Sequence, residues 1–205
     1  MHPDPAMSEV RPIAAYLGNS SEAEFPLVLV LGREYNGCGN LSSQVGRYSF
    51  SESPRSTFWN RTYSLISRAC HVTDFKARCI AAGHSPVVFA NVLPQPIPNK
   101  YSDRQKQNIR SSIPEGEVRK HVRSLFRLPI ADRFRAVVLS VGDGAEFTSA
   151  AEQVEVECAE RGLPMIKLPY LGAHTGDDVI DAAFNQQKAE VLCSVVAEFI
   201  TATDA

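Results

Sequence analysis

Apolar residues fall along this chain in two periods. Four short runs are almost continuously hydrophobic and rich in β-branched residues: PLVLVLG at 26–32, PVVFANV at 86–92, AVVLSVG at 136–142 and PMIKLP at 164–169. Unbroken rather than alternating apolarity predicts strands buried on both faces, the pattern of a parallel sheet. Between these runs the spacing turns helical. In STFWNRTYSLISRAC, residues 56–70, Phe58, Trp59, Tyr63, Ile66 and Cys70 recur every three to four positions behind Ser56, a suitable N-cap. In PEGEVRKHVRSLFRL, Val118, Val122, Leu125 and Phe126 form one stripe, and Arg119, Arg123 and Arg127 form a second at i, i+4 and i+8. A further helix is expected from about Gly144 to Arg161, stopped by Gly162. One long final helix is expected from Asp177 and Asp178, turning Val191, Leu192, Val195, Val196, Phe199 and Ile200 inward.

Strand and helix alternate, and parallel strands need right-handed crossovers that cover the sheet. The pattern therefore predicts an α/β fold, a three-layer α/β/α sandwich with a central four-stranded parallel sheet. Residues 1–12 are polar and Pro-rich and read as a flexible N-terminal segment, with 13–205 as a single domain. The stretch PQPIPNKYSDRQKQNIRSSIPEGE, 94–117, reads as a long functional loop. Ligands of such sheets bind beyond the carboxyl ends of the strands, where Glu34, Asn91, Asp143 and residues 169–176 are expected to gather.

Composition narrows the partners. With 21 Lys+Arg against 23 Asp+Glu, the formal charge of -2 leaves no global field toward nucleic acid or anionic lipid, so an anionic partner must be met by a local patch. No apolar run approaches the roughly 18 residues of a membrane span, and MHPDPAMSEV carries acids where a signal peptide starts with cations; a cytoplasmic protein with no membrane partner is expected. Cys38, Cys70, Cys79, Cys158 and Cys193 are scattered without a C-x-x-C pair. That argues against a disulfide framework, a zinc knuckle or an iron–sulfur cluster and leaves small buried hydrophobes as the expectation for most of them. His71, His84 and His121 have no partners at metal-ligand spacing and read as surface residues; neither metal nor cofactor is expected.

The chemistry concentrates after the first strand, in GREYNGCGN, 32–40. The spacing of Gly32, Gly37 and Gly39 is not the dinucleotide fingerprint, the turn lacks the lysine of a P-loop, and the chain has no G-x-S-x-G elbow. What the turn offers is a polar group at the mouth of a buried strand, from Glu34 or from Asn36. Such a carboxylate commonly serves as a cap or loop hydrogen-bonder, but at a sheet edge it equally suits a ligand. Asn91 puts an amide at the end of an apolar strand, where it must find partners. Phe50 suits the core as well as a site, and His174 suits an exposed loop. Arg119, Lys120, Arg123 and Arg127, like Lys100 and Arg104, suit a solvated face as well as phosphate contacts.

The order of G-x-E after a strand, a turn with Ser42, Ser43 and Gln44, then GRYSF, TFWNRTYSLI and FANVLPQP resembles the uracil-DNA glycosylase superfamily. In its mismatch-specific and thymine-glycosylase branches the first motif is followed by an aromatic turn and an F-W helix, here Phe50, Phe58 and Trp59, and the next strand ends in an asparagine, here Asn91. The resemblance implies a DNA N-glycosylase of base-excision repair, hydrolysing the N-glycosidic bond of a deaminated or mismatched base flipped out of DNA. The alternative is the same fold retained to bind a nucleobase, nucleotide or other small ligand without cleavage; a third is an unrelated α/β/α enzyme of small-molecule metabolism. Cleavage develops positive charge on the sugar and negative charge on the base, so Glu34 or Asn36 would position water and His174 would polarise the base carbonyl. Phe50 or Tyr48 would stack on the base, Asn91 would read its edge with Tyr35 beside it, and Ser42, Ser43, Arg119 and Arg123 would meet phosphates. The sequence departs from the family twice. Tyr35 replaces a proline in a first motif one residue longer than usual, and Leu168 stands where the histidine of a His-Pro-Ser motif falls when Pro169 is aligned.

Overall fold

The computed structural model describes residues 10–18, 25–35, 40–48, 57–98, 100–172, 175–187 and 190–204. In chain order its elements are β1 Val10–Gly18, β2 Leu27–Gly32, β3 Asn40–Tyr48, α1 Thr57–Ala69, α2 Phe75–Ala82, β4 His84–Asn91, α3 Asp103–Ser112, α4 Glu115–Leu125, β5 Phe134–Leu139, α5 Thr148–Arg161, β6 Met165–Lys167, α6 Asp177–Asn185 and α7 Glu190–Thr203. Among the described residues six strands form one sheet, in the order β3-β1-β4-β2-β5-β6. The four apolar runs are contiguous and parallel within it, β4-β2-β5-β6, in the register Val28 to Val87 and Ala136, and Val138 to Ile166. Leu27 through Leu31, Val87 and Val88 are completely buried, as unbroken apolarity requires of strands covered on both faces.

The sheet is larger than the four strands expected and is not wholly parallel. β1 pairs antiparallel with β4 and parallel with β3, so residues 10–12 belong to a strand and not to a loose terminus. Pro12 is tolerated because pairing with β4 begins only at Ala14 and the register on β3 shifts between Pro12 and Ala14, a bulge where a missing amide hydrogen is not needed. Ser42 and Ser43, expected in a glycine-rich turn, lie within edge strand β3, with Ser42 opposite Pro12.

The helices fall into two groups. Helix α1 touches α2 and α6, and α7 packs on β5, β4 and β2, while α4 packs on α5. The stripe expected on α4 is buried as Val118, Val122 and Leu125, but His121, read as a surface residue, is buried with them. Gly162 ends α5 in the left-handed conformation as expected. The single final helix is instead two, α6 and α7. Between them Gln187 turns back on the sheet edge, its side chain accepting from the Lys167 amide at 2.6 Å and donating to the Lys167 carbonyl. The expected loop 94–117 contains α3, held by a capping box in which the Ser102 hydroxyl accepts from the Gln105 amide and the Gln105 side chain accepts from the Ser102 amide.

The cysteine expectation divides. Cys79 and Cys158 are buried free thiols, each pushed up to about 12, mainly by burial. Cys70 and Cys193, 123 residues apart, form a disulfide between the end of α1 and α7. Spacing gave no hint of that pair because the fold, and not the sequence interval, brings the two helices together. Among the described residues no helix is long and apolar enough to cross a membrane.

Candidate functional site

The carboxyl ends of the parallel strands carry a compact group of charged and aromatic side chains. β2 ends at Gly32, whose Cα partner across the sheet is Asn91 at the end of β4. The two chains keep pairing beyond the strands: the amides of Val92, Leu93 and Ile97 donate to the carbonyls of Gly32, Arg33 and Tyr35 at 2.9, 3.1 and 2.8 Å. Arg33 and Glu34 are thereby held at the sheet edge on hydrogen-bonded backbone.

Absence of a side chain at Gly32 is a packing requirement. A Cβ there would lie 2.7 Å from Asn91 Oδ1 and 3.2 Å from Phe58 Cζ. The Asn91 amide and the Phe58 ring therefore close directly over the end of β2. The backbone carbonyl of Asn91 is held by buried His121, whose Nε2–H donates at 2.9 Å. Burial lowers the His121 pKa, opposed by that bond, and keeps the ring neutral.

Glu34 is the centre of the charged group. Its side chain is only 7% exposed, and its Oε1 accepts from Arg110 Nη2 at 2.6 Å. Arg110, in α3 and 11% exposed, also faces Glu146 Oε1 at 3.6 Å and lies 5.6 Å from the centroid of the Phe147 ring. Glu34 Oε2 and Arg110 Nε are buried without a hydrogen-bond partner. Arg33 donates from Nε to the Val141 carbonyl at 2.8 Å and stacks its guanidinium 3.9 Å above the Tyr170 ring. Burial lowers the Arg33 pKa; Tyr170, Glu34 and Glu146 oppose that shift and Arg110 adds to it. Gly142, in the left-handed conformation at φ 73°, would place a Cβ 3.0 Å from Arg33 Nη2, so the turn after β5 is shaped around this arginine.

Tyr170 links the charges to the aromatics. Its ring stacks on Phe58 at 6.1 Å and 23°, and Phe58 meets Phe89 edge-on at 6.1 Å. Trp59 stacks on Phe89 at 4.7 Å, so the F-W pair of α1 serves to pack the helix on β4 and to floor this edge. Burial raises the Tyr170 pKa, the Glu34 carboxylate raises it further, and Arg33 and Arg110 oppose. Burial likewise raises Tyr35, against a backbone hydrogen bond to Asn91. Beside Phe147 a cavity of about 290 Å³ opens at the ends of β5 and β6, lined in part by Gly142, Asp143, Thr148 and Lys167. Glu34 and Asn91 are not among its lining residues.

Of the residues singled out in the sequence, the structure brings Glu34, Tyr35 and Asn91 to one edge. Asn36, Cys38, Phe50 and His174 lie outside the described residues, as do the side chains of Ser42, Ser43 and Tyr48. Arg119 and Arg123 are not a free cationic stripe. Arg119 pairs with Glu152 at 2.6 Å and Arg123 approaches Glu157 at 3.8 Å, both acids on α5. Sequence reading missed Arg110, Arg33, Glu146 and Tyr170. The S-x-x-Q capping box at Ser102 would have revealed α3 and so placed Arg110 on a helix; the other three carry no local signal. Among the described residues no group of three or more His, Cys, Asp or Glu is placed to hold a metal ion.

Fold and edge together define an α/β protein with a mostly parallel sheet, whose carboxyl side joins a buried carboxylate–guanidinium cluster to an aromatic floor. Compared with known proteins, the chain matches no family model and no curated protein.

Proposed function

We propose that this chain is a uracil-DNA-glycosylase-like N-glycosylase, a three-layer α/β/α protein that releases a deaminated or mismatched base from DNA in the cytoplasm. The observation that carries the reading is the state of Glu34. With Oε1 engaged by Arg110, the Glu34 carboxylate is oriented by one oxygen while Oε2 remains without a partner. That arrangement suits a group that orients water toward the anomeric carbon and stabilises positive charge on the sugar, more than one that takes up a proton. As the oxygen of water bonds to the anomeric carbon, the carbon–nitrogen bond breaks, its electron pair leaves with the base, and the proton shed by water ends on the departing base. Asn91, fixed over Gly32 and held from behind by His121, offers its amide to the edge of a planar ring. Stacking on Phe50 or Tyr48, a second polar group from Asn36 and polarisation of the base carbonyl by His174 follow from the family resemblance and belong to the same proposal.

A second reading, the same site binding a nucleobase or nucleotide without cleavage, is favoured by the ion pairs of Arg119 and Arg123. Arginines engaged by acids on α5 are poorer partners for DNA phosphates than a free stripe. One experiment separates the two. Free base is measured after incubating excess protein with DNA containing uracil, hypoxanthine or a thymine mismatch. Release that disappears with Glu34→Gln and Asn36→Ala supports the glycosylase. No release from any substrate refutes it, and thermal stabilisation by a free base or nucleotide without salt-sensitive DNA binding then identifies the binding module.

A further inference from the structure

The only cation paired with Glu34 among the described residues, Arg110, is carried by one helix, α3. Helix α3 contributes no buried residue, and its ten residues are strongly polar. Its hydrogen bonds are largely its own: the capping box at Ser102 and Gln105 starts it, and the Ile113 amide returns to the Arg110 carbonyl at its end. Among the described residues, the backbone–backbone hydrogen bonds of 100–113 stay within the segment or reach back to Pro98. Ahead of the buried Ile113, apolar attachment is confined to half-buried Tyr101 and Ile109. On either side the chain is pinned, at Ile97, fully buried and bonded to the Tyr35 carbonyl at 2.8 Å, and at Ile113, 8% exposed. Pro98 and Pro114 stand immediately outside the segment's self-bonded stretch.

What draws this segment down is Arg110, between Glu34 at 2.6 Å and Glu146 at 3.6 Å, over the Phe147 ring. The pair is almost completely desolvated yet incompletely satisfied, since Glu34 Oε2 and Arg110 Nε lack partners. Removing charges from water costs free energy that such a pair recovers only with full hydrogen bonding, so this contact holds the helix without fixing it permanently. We propose that residues 100–112 form a hinged cover over Glu34, with α3 at its centre and Arg110 as the latch. Closed, the cover positions the carboxylate through Oε1. Open, it presents Glu34 to a ligand arriving at the ends of β2 and β4. Segments bound by few buried contacts are the ones that open locally while the core remains folded.

Two measurements on the full chain test this, and neither uses DNA or a base, so the outcome is independent of the proposed glycosylase activity. In the first, amide hydrogen exchange is followed in the wild-type protein. The amides of 103–112 are expected to exchange at least about tenfold faster than those of α4, whose Val118, Val122 and Leu125 are buried. Equal protection of the two helices overturns the hinge. In the second, carboxylates are labelled with a water-soluble carbodiimide and an amine and read out by mass spectrometry. Glu34 is expected to label slowly in the wild type and about tenfold faster in Arg110→Gln, while Glu190 labels equally in both. An unchanged Glu34 rate overturns the latch.

Discussion

Replacing Gly32 by alanine should destabilise the protein, although glycine in a strand is ordinarily the poorer residue. Alanine reduces the freedom of the unfolded chain and normally gains about 0.4–1 kcal/mol where its backbone is compatible, and Gly32 is not among the residues with positive φ. Here the new Cβ would stand 2.7 Å from Asn91 Oδ1 and 3.2 Å from Phe58 Cζ, against optimal carbon separations of about 3.5–4.0 Å. Asn91 must rotate away and the aromatic floor must shift, an overpacking cost of about 1–3 kcal/mol. The net loss expected is about 1–2 kcal/mol, or a fall in Tm of about 2–8 °C for a chain of this size. Urea denaturation of wild type, Gly32→Ala, Asn91→Ala and the double variant forms a cycle. Because the second substitution removes the clashing oxygen, the double variant should recover about 1 kcal/mol of the additive loss, with Phe58 accounting for the remainder. A Gly32→Ala midpoint at or above wild type, or additivity within about 0.5 kcal/mol, would refute the close approach of β2 and β4 at this edge.

Two further outcomes follow from groups away from Glu34. The Cys70–Cys193 bond spans 123 residues, for which the chain-entropy model gives about 5 kcal/mol and measured losses on removal are about 2–5 kcal/mol; Cys193→Ser should lower the urea midpoint accordingly, and a reducing agent should lower it in the wild type but not in the variant. His121 has a pKa depressed by burial, so above about pH 6.5 it is neutral in both states and carries no penalty. Below that value the unfolded chain binds a proton that the folded protein refuses, and stability falls as pH drops toward the folded pKa; His121→Gln should flatten that slope in denaturation curves taken between about pH 7 and pH 5.

The four apolar parallel strands were legible because strands covered on both faces leave few polar positions. β1 and β3 were not. In β1, VRPIAAYLG, Arg11 and Pro12 interrupt the apolar run, and β3, NLSSQVGRY, is mostly polar, as suits a strand with one neighbour among the described residues. Asn91 was legible by the same physics that revealed its strand, an amide at the end of an apolar run. Glu34 was visible as a carboxylate in the right place, but its condition was not: the partner is 76 residues away on a helix with almost no hydrophobic face, where apolar periodicity is silent. Long-range ion pairs and the disulfide share this property. They are consequences of topology, and no interval in the sequence encodes them.

The short strand β6 ends the sheet, and a terminal strand with unused peptide groups invites another chain to pair with it. Lys167 shows how this end is guarded. Its amide and carbonyl, turned away from β5, are both taken by the carboxamide of Gln187, which copies the hydrogen bonds of a neighbouring peptide unit without offering a further one. The break between α6 and α7 thus acts as a chain terminator for this edge of the sheet, and strand addition at β6 would have to begin by evicting one glutamine.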